Sequence, residues 1–146
     1  AYEEGRNLLF EKYARMMETT YPDEYENVKQ YLPEISEESR EKIEEIVKIH
    51  MEWDAYMAEH YPNIRKRGRV ATTGEDDPAA GSSTESYLRC ELMSYSEKTR
   101  DLIYKETKEA YAQGENTLRD IIANETRFYG YETLDEAEKK HGEIVI

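Results

Sequence analysis

Apolar residues recur at helical spacing along almost the whole chain, and this periodicity constrains the fold more than any other feature. The clearest stretch runs from Ile43 through Trp53 to Met57, where apolar side chains return every three or four positions. Alternation of apolar and polar residues, which is typical of a half-buried strand, is rare. The pattern predicts an all-α fold, a helical bundle of about six to seven helices with one long central loop.

Prolines, glycines and capping residues divide this pattern into separate helices. Ser36, Thr84 and Ser96 are good N-cap residues in front of apolar runs, and Pro22 suits the first turn of a helix. The predicted helices cover residues 7–19, 22–31, 37–60, 85–95, 97–113, 116–129 and 134–141. Residues 61–84 lack a helical period and are rich in proline, glycine, serine and threonine, so they form the predicted loop.

Length and charge narrow the range of functions. A chain of 146 residues suits one domain, and we expect a single all-helical domain over residues 1–146. The net charge of −13 repels nucleic-acid phosphates and anionic membranes, which excludes both as general partners. No apolar stretch approaches the roughly 20 residues that span a bilayer. The single cysteine, Cys90, excludes an internal disulfide and favours the cytoplasm.

The phrase that opens the chain returns in its second half. Five residues of the opening match a later stretch at a constant offset: Ala1, Tyr2, Gly5, Asn7 and Leu9 correspond to Ala110, Tyr111, Gly114, Asn116 and Leu118. Either the match is chance or the chain holds a degenerate internal repeat. In both copies Gly-x-Asn predicts a helix corner, because glycine ends one helix in the left-handed conformation and asparagine caps the next. A phosphate-binding loop is excluded, since the required strand and further glycines are missing.

Several phrases of the chain are more specific than this corner. They are Gly5-Arg6-Asn7-Leu8, Glu11-Lys12-Tyr13-Ala14-Arg15-Met16-Met17 and Ser86-Tyr87-Leu88-Arg89. With these phrases, nearly the whole chain resembles a bacterial family catalogued as domain of unknown function 4125. The resemblance implies a shared fold and an upstream segment that ends in the first corner, so we expect this chain to be a fragment lacking that segment. It implies no activity.

Polar residues within apolar stripes are candidate functional groups. His50 lies in the stripe of the third helix, where it is either a hydrogen-bonded core histidine or an acid–base group. The carboxylates predicted to be buried are Glu52, Glu91, Glu106 and Glu125. They are either members of structural ion pairs or exposed at the edge of a stripe, or they form a functional acidic cluster, because an unpartnered charge on an apolar face is costly.

Metal and nucleophile chemistry find little support in the sequence. A di-iron bundle requires Glu-x-x-His on two helices, and the chain has one such pair, Glu138 and His141, on a polar helix that suggests a solvated face. Cys90 lies inside a predicted helix without a histidine nearby, which favours a packing role. We therefore predict no metal and no cofactor, and the catalytic residues, if any, stay unknown.

The long loop is the best candidate for ligand binding. It joins a basic run, an acidic run and a hydroxyl-rich helix start, and its candidate ligand-binding residues are Arg65, Arg67, Arg69, Ser82, Ser83, Thr84 and Arg89. Arginines and the amides of a helix N-terminus both attract anions. The alternative is a solvated loop whose basic and acidic halves pair with each other.

Two functions from different classes follow. The first is a noncatalytic interaction or accessory subunit that docks onto a partner protein or a second copy of itself through a surface rich in the chain's 13 tyrosines. The alternative is a protein that binds a small polar anion, or an enzyme, using the arginine-rich loop and the glutamates. We favour the first, and lean against an enzyme, because no complete catalytic set is visible.

Overall fold

The computed structural model describes the backbone of residues 2–144 and the side chains of residues 4–144. Eight α-helices lie in this part of the chain: α1 (Tyr2–Thr20), α2 (Pro22–Val28), α3 (Glu37–His60), α4 (Pro62–Arg65), α5 (Thr84–Ser94), α6 (Glu97–Ala112), α7 (Thr117–Phe128) and α8 (Leu134–Glu143). The all-α prediction is confirmed. The count is one above the predicted range because Pro62 starts the single-turn helix α4 inside the predicted loop.

Short polar side chains fix where most of these helices begin. Ser36, Ser96 and Asn116 each accept a hydrogen bond from the backbone N–H three residues later, which satisfies a donor that the helix itself cannot pair. At α5 this role belongs to Ser83, whose hydroxyl accepts from the Ser86 N–H. The predicted cap, Thr84, is instead the first helical residue.

Helix α3 is the centre of the bundle. Its N-terminal half packs against α5 and α6 around a core of Ile43, Ile46, Val47 and Leu92. Its C-terminal half reaches α7 and a second core that includes Met57 and Leu134. Helix α1 packs on α5, and α8 packs on α4 and α7. The apolar stripe predicted for α3 is therefore the element that joins the two ends of the molecule.

The two Gly-x-Asn phrases have different conformations. Gly114 has φ of +72° and Asn116 caps α7, so the second phrase forms the predicted corner between α6 and α7. Helix α1 runs without interruption through Gly5 and Asn7, so the corner predicted for the first phrase is wrong. A side chain at Gly5 would meet nothing within 4 Å, so no close contact requires a glycine at this position. Of the matched positions, Ala1 and the side chain of Tyr2 lie outside the described residues.

The segment between α4 and α5 is irregular but strongly hydrogen-bonded. It contains a 3-10 turn at Thr73–Glu75 that is closed by a capping box between Thr72 and Glu75. The Thr84 N–H donates to the Val70 carbonyl at 2.8 Å, which attaches the segment to the start of α5. Within the described residues, none of the helices is both long and apolar enough to cross a bilayer.

Candidate functional site

A cleft of about 720 Å³ opens between the basic segment 64–69, helix α7 and the end of α8. We call it the arginine cleft. Its side chains come from five parts of the fold: Asp54 from α3, Ile64, Arg65, Arg67 and Arg69 from the basic segment, Thr84 from α5, Leu118, Ile122, Glu125 and Thr126 from α7, and Tyr129, Tyr131 and His141 from the C-terminal region. The cleft thus brings together Arg65, Arg67, Arg69, Thr84 and Glu125 of the predicted candidates.

Helix α8 holds the basic segment in place. The Glu138 carboxylate accepts hydrogen bonds from the backbone N–H groups of Asn63 and Ile64, at 2.7 and 2.9 Å. These are two of the unpaired donors at the start of α4, and a carboxylate is favourable at this positive end of a helix. Glu138 is half-buried, so it is not part of the solvated face expected from the sequence. It caps α4 across a gap of about 75 residues in the chain.

Arg65 is committed to the fold. Its Nη2 donates to Asp54 Oδ2 at 2.9 Å, and its Nε lies 2.7 Å from Oδ1 without hydrogen-bond direction, so this second contact is ionic. Asp54 is buried in α3, and Arg65 Nη1 also donates to the Arg69 carbonyl at 2.7 Å. Arg65 therefore ties the basic segment to α3 and has little capacity left for a ligand.

Arg67 and Arg69 carry charges that no carboxylate of the described residues neutralises, although the Arg69 guanidinium lies over the Tyr87 ring, 4.3 Å from its centroid. Arg67 Nη2 donates to the His141 carbonyl at 3.4 Å, and Arg69 Nη1 donates to the Ser82 carbonyl at 3.1 Å. Among the side chains of residues 4–144, neither arginine has a carboxylate within ion-pair distance. Both are exposed. Two uncompensated guanidinium groups at one cleft are notable in a chain with a net charge of −13.

The wall opposite these arginines is mostly apolar. Leu118 and Ile122 of α7 are half-buried there, and Tyr129 is 78% exposed at the rim. The Nδ1 atom of His141 is buried and has no hydrogen-bond partner among the described residues, which is unusual for a native polar atom. Two carboxylates are among the described residues that line the cleft. Asp54 is paired with Arg65, and Glu125 is exposed.

The start of α5, where hydroxyls and amides were predicted to bind an anion, is already occupied by the chain itself. The Asp76 carboxylate accepts from the Ser83 N–H at 2.7 Å and from the Thr19 hydroxyl at 2.5 Å. Partial burial raises the pKa of Asp76, but hydrogen bonds from Ser86, Thr19 and Ser83 outweigh it and lower that pKa below its ordinary value. Ser82 and Ser83 are buried, so an external anion cannot take this position.

Arg89 is also used internally. Its guanidinium donates to Glu44 at 2.7 and 3.1 Å and to Glu85 at 2.7 Å. The ion pair with Glu44 is the main reason that the pKa of Arg89 is raised, and Glu85 adds to it. The structure therefore places Arg89 away from the arginine cleft, in a network that joins α3 to α5.

The glutamates predicted to be buried occupy less enclosed positions. Glu52, Glu106 and Glu125 are exposed, so their predicted burial is wrong and the alternative of exposure at the stripe edge holds. They lie at the edges of apolar stripes, and the helices bury a narrower face than the sequence pattern indicated. Glu91 is half-buried, accepts from the Tyr95 hydroxyl at 2.6 Å and lies 3.6 Å from Lys12 Nζ. The structure does not bring these four glutamates into one cluster.

His50 and Cys90 belong to the packed interior. The His50 ring is half-buried and makes an edge contact with Trp53, with centroids 4.9 Å apart. Burial lowers the pKa of His50 below its ordinary value. Cys90 is buried, and burial raises the pKa of its thiol to about 12. Both side chains face the core and neither lines the arginine cleft.

Sequence reasoning missed Asp54 altogether and missed the capping role of Glu138. Asp54 follows Trp53 on a stripe that looked apolar, and only the fold shows that Arg65 returns to it.

In the comparison with protein families, a family model described as a protein of unknown function, DUF4125, matches residues 1–139. Comparison with the curated proteins and with the solved structures finds no match.

Proposed function

This chain belongs to the DUF4125 family of proteins of unknown function, and we propose that it binds a small organic anion in the arginine cleft. The observation that carries the proposal is the pair Arg67 and Arg69, which face one cleft without a carboxylate partner among the described residues. Guanidinium groups bind carboxylates and phosphates through two parallel hydrogen bonds, and these charge-assisted contacts are among the strongest in proteins.

The remaining walls indicate the kind of anion. Leu118 and Ile122 offer an apolar surface for the body of the ligand, and a volume of about 720 Å³ lies within the usual range for small-molecule sites. The Glu125 carboxylate and the Tyr129 hydroxyl can hydrogen-bond to a polar substituent of the ligand. We infer a ligand with an acidic group at one end and an aromatic or aliphatic body.

Titration calorimetry with three probes at low salt tests this proposal. Phenyl phosphate and benzoate combine an acidic group with an apolar body, and inorganic phosphate has the charge alone. We expect saturable binding of one or both organic probes and weaker binding of inorganic phosphate. Replacement of Arg67 or Arg69 by glutamine should weaken binding at least roughly tenfold, the loss of one charge-assisted contact.

Arg40→Gln is the matched control, because Arg40 is exposed on α3, donates to the Ile35 carbonyl at 3.3 Å and does not line the cleft. This variant should bind the probes within about twofold of the unaltered chain, since screened charges at a distance contribute little. The proposal fails if no probe binds at millimolar concentration. It also fails if Arg40→Gln weakens binding as much as the cleft variants do.

A second candidate is the docking role, for which we infer that α1 pairs with α1 of a second copy. Four apolar side chains on the N-terminal half of α1 are 44 to 56% exposed: Leu8, Leu9, Phe10 and Tyr13. Exposed apolar groups of this density are typical of interaction surfaces. Residues 4–20 hold three acidic and three basic residues, so two copies can meet there despite the overall charge of −13. Sedimentation equilibrium should then show a dimer that Phe10→Glu dissociates and Phe128→Glu, at another exposed phenylalanine, does not.

A further inference from the structure

A second cleft, of about 550 Å³, lies between α3 and the corner that joins α6 to α7. Three of its lining side chains are aromatic, Trp53, Tyr56 and Tyr111, and three are acidic, Glu52, Glu115 and Asp120. We propose that this cleft, which we call the aromatic cleft, binds an organic cation, an alkylated ammonium or a guanidinium group. The proposal concerns a different site from the arginine cleft and does not depend on it.

The aromatic walls are held in place before any ligand arrives. The Tyr111 hydroxyl donates to Glu52 Oε2 at 2.6 Å, which joins α6 to α3. The Tyr56 ring stacks on His60 with centroids 3.9 Å apart, and Trp53 is packed against His50. Trp53 is buried, whereas Tyr56 and Tyr111 are 40 and 46% exposed and can contact a ligand. Rings fixed in this way lose little freedom when a ligand binds, so these contacts have a low entropic cost. An organic cation gains by contacting such π-systems.

Charge favours a cation over a neutral ligand. Three carboxylates line the aromatic cleft against one basic side chain, Arg119. The Arg119 guanidinium lies 4.0 Å from the Asp120 carboxylate, at the limit of an ion pair, so Asp120 is only loosely compensated. The chain's overall charge of −13 adds a long-range field that concentrates cations at such a surface. Because acidic residues are common on this protein, the carboxylates alone do not mark a site. The aromatic side chains distinguish the aromatic cleft from other acidic surfaces.

The arrangement suits a diffuse charge and not a metal ion. Within the described part of the chain, no three histidine, cysteine, aspartate or glutamate side chains converge on one point as metal ligands must. A quaternary ammonium or a guanidinium spreads its charge over several carbon or nitrogen atoms and is weakly hydrated. Carboxylates at the rim and rings at the wall therefore match its chemistry.

The corner predicted from the sequence shapes this cleft. Gly114 turns the chain with φ of +72°, and Asn116 then starts α7, which places Glu115 and Asp120 opposite the aromatic residues of α3. The second Gly-x-Asn phrase thus has a role beyond ending a helix, since it brings two carboxylates to a surface that α3 lines with rings.

Trp53 is the chain's single tryptophan, so its fluorescence reports on the aromatic cleft directly. We would titrate the protein with choline, with arginine amide and with 3,3-dimethylbutanol, a neutral molecule of the same shape as choline. One or both cations should change the fluorescence in a saturable way, and the neutral alcohol should require at least a tenfold higher concentration. The proposal is overturned if the alcohol changes the fluorescence at the same concentrations as choline. It is also overturned if neither cation changes the fluorescence up to roughly 50 mM, a concentration beyond which binding would be too weak to matter.

Variants separate this site from general charge effects. Glu115→Gln should weaken cation binding about three- to tenfold, whereas Glu109→Gln removes the same charge from an exposed position on α6 outside the cleft and should leave binding unchanged. Tyr56→Leu should weaken binding about tenfold, in keeping with the loss of one cation–π contact. If Glu109→Gln and Glu115→Gln have equal effects, the cleft is not the site. Glu115 is exposed in the turn between α6 and α7, so its variant tests the proposal even if Tyr56→Leu does not fold.

Discussion

Alanine at Gly5 and alanine at Gly114 should change stability in opposite directions, although both glycines begin the same Gly-x-Asn phrase. Gly5 is exposed within α1, and a Cβ there meets nothing within 4 Å. Alanine removes the entropic cost of glycine in a helix, which is about 0.5–1 kcal/mol, and the lower value applies in the first turns. Gly114 has φ of +72°, where an L-residue costs roughly 1–2 kcal/mol.

The two asparagines should behave in the same contrasting way. Asn116 accepts a hydrogen bond from the Arg119 N–H at 2.9 Å, so Asn116→Ala should cost about 1 kcal/mol. Asn7 lies inside α1, where alanine is the better helix former by about 0.5 kcal/mol. The four variants therefore form two matched pairs. In the free energy of unfolding, the glycine pair is expected to differ by about 1.5–2.5 kcal/mol and the asparagine pair by about 1.5 kcal/mol.

Urea unfolding followed by far-ultraviolet circular dichroism resolves differences of this size. The transitions should keep a common slope, because none of the four substitutions changes the surface exposed on unfolding. If Gly5→Ala and Asn7→Ala destabilise the protein as much as their counterparts do, α1 bends at Gly5 and the continuous helix is wrong. Stabilisation by both glycine variants would instead show that Gly114 does not need the left-handed conformation.

Three further predictions concern buried groups. Asp54→Asn should destabilise the protein by about 3 kcal/mol in urea unfolding, because it leaves Arg65 without its charge partner. The control, Asp101→Asn, breaks only an exposed pair with Lys42 and should cost less than about 1 kcal/mol. Cys90, with its pKa raised to about 12, should react with Ellman's reagent at pH 8 at least about a hundredfold more slowly in the native protein than in urea, and equal rates would contradict its burial. Burial lowers the pKa of His50, so the unfolded chain binds a proton more readily than the native one. The free energy of unfolding should therefore decrease as the pH falls from about 7 to about 5, and by more than it does in His50→Gln.

The candidate site was only partly predictable. The basic run was visible as a ligand candidate, but its three arginines looked equivalent in the sequence. The fold distinguishes them, because Asp54 on α3 engages Arg65, while among the described residues Arg67 contacts a carbonyl oxygen and Arg69 contacts a carbonyl oxygen and the Tyr87 ring. The serines at the start of α5 looked available for an anion, yet Asp76 from the preceding segment occupies that position. Such partners are distant in sequence or depend on the path of an irregular segment, so periodicity does not reveal them.

The burial of carboxylates was beyond sequence reasoning for a related physical reason. A residue beside an apolar stripe is buried only if the neighbouring helix covers that side, and the width of the covered face depends on how helices cross. Glu106 and Glu125 lie next to apolar residues of α6 and α7 and are nevertheless exposed. Exposure also leaves Glu52 free to bind the Tyr111 hydroxyl across two helices.

The sequence by itself determined the local structure: the all-α class, the long central helix with its Ser36 cap, and the glycine and asparagine that make a corner possible at Gly114 and Asn116. These features depend on interactions over a few residues, where side-chain periodicity, capping and glycine's freedom act directly. Tertiary structure decided whether Gly5 bends, which arginines stay unpaired, and where aromatic and acidic residues of α3 and α7 meet. Those outcomes depend on contacts between distant elements, because a helix can pass through Gly-x-Asn unless packing of the following helix requires a turn.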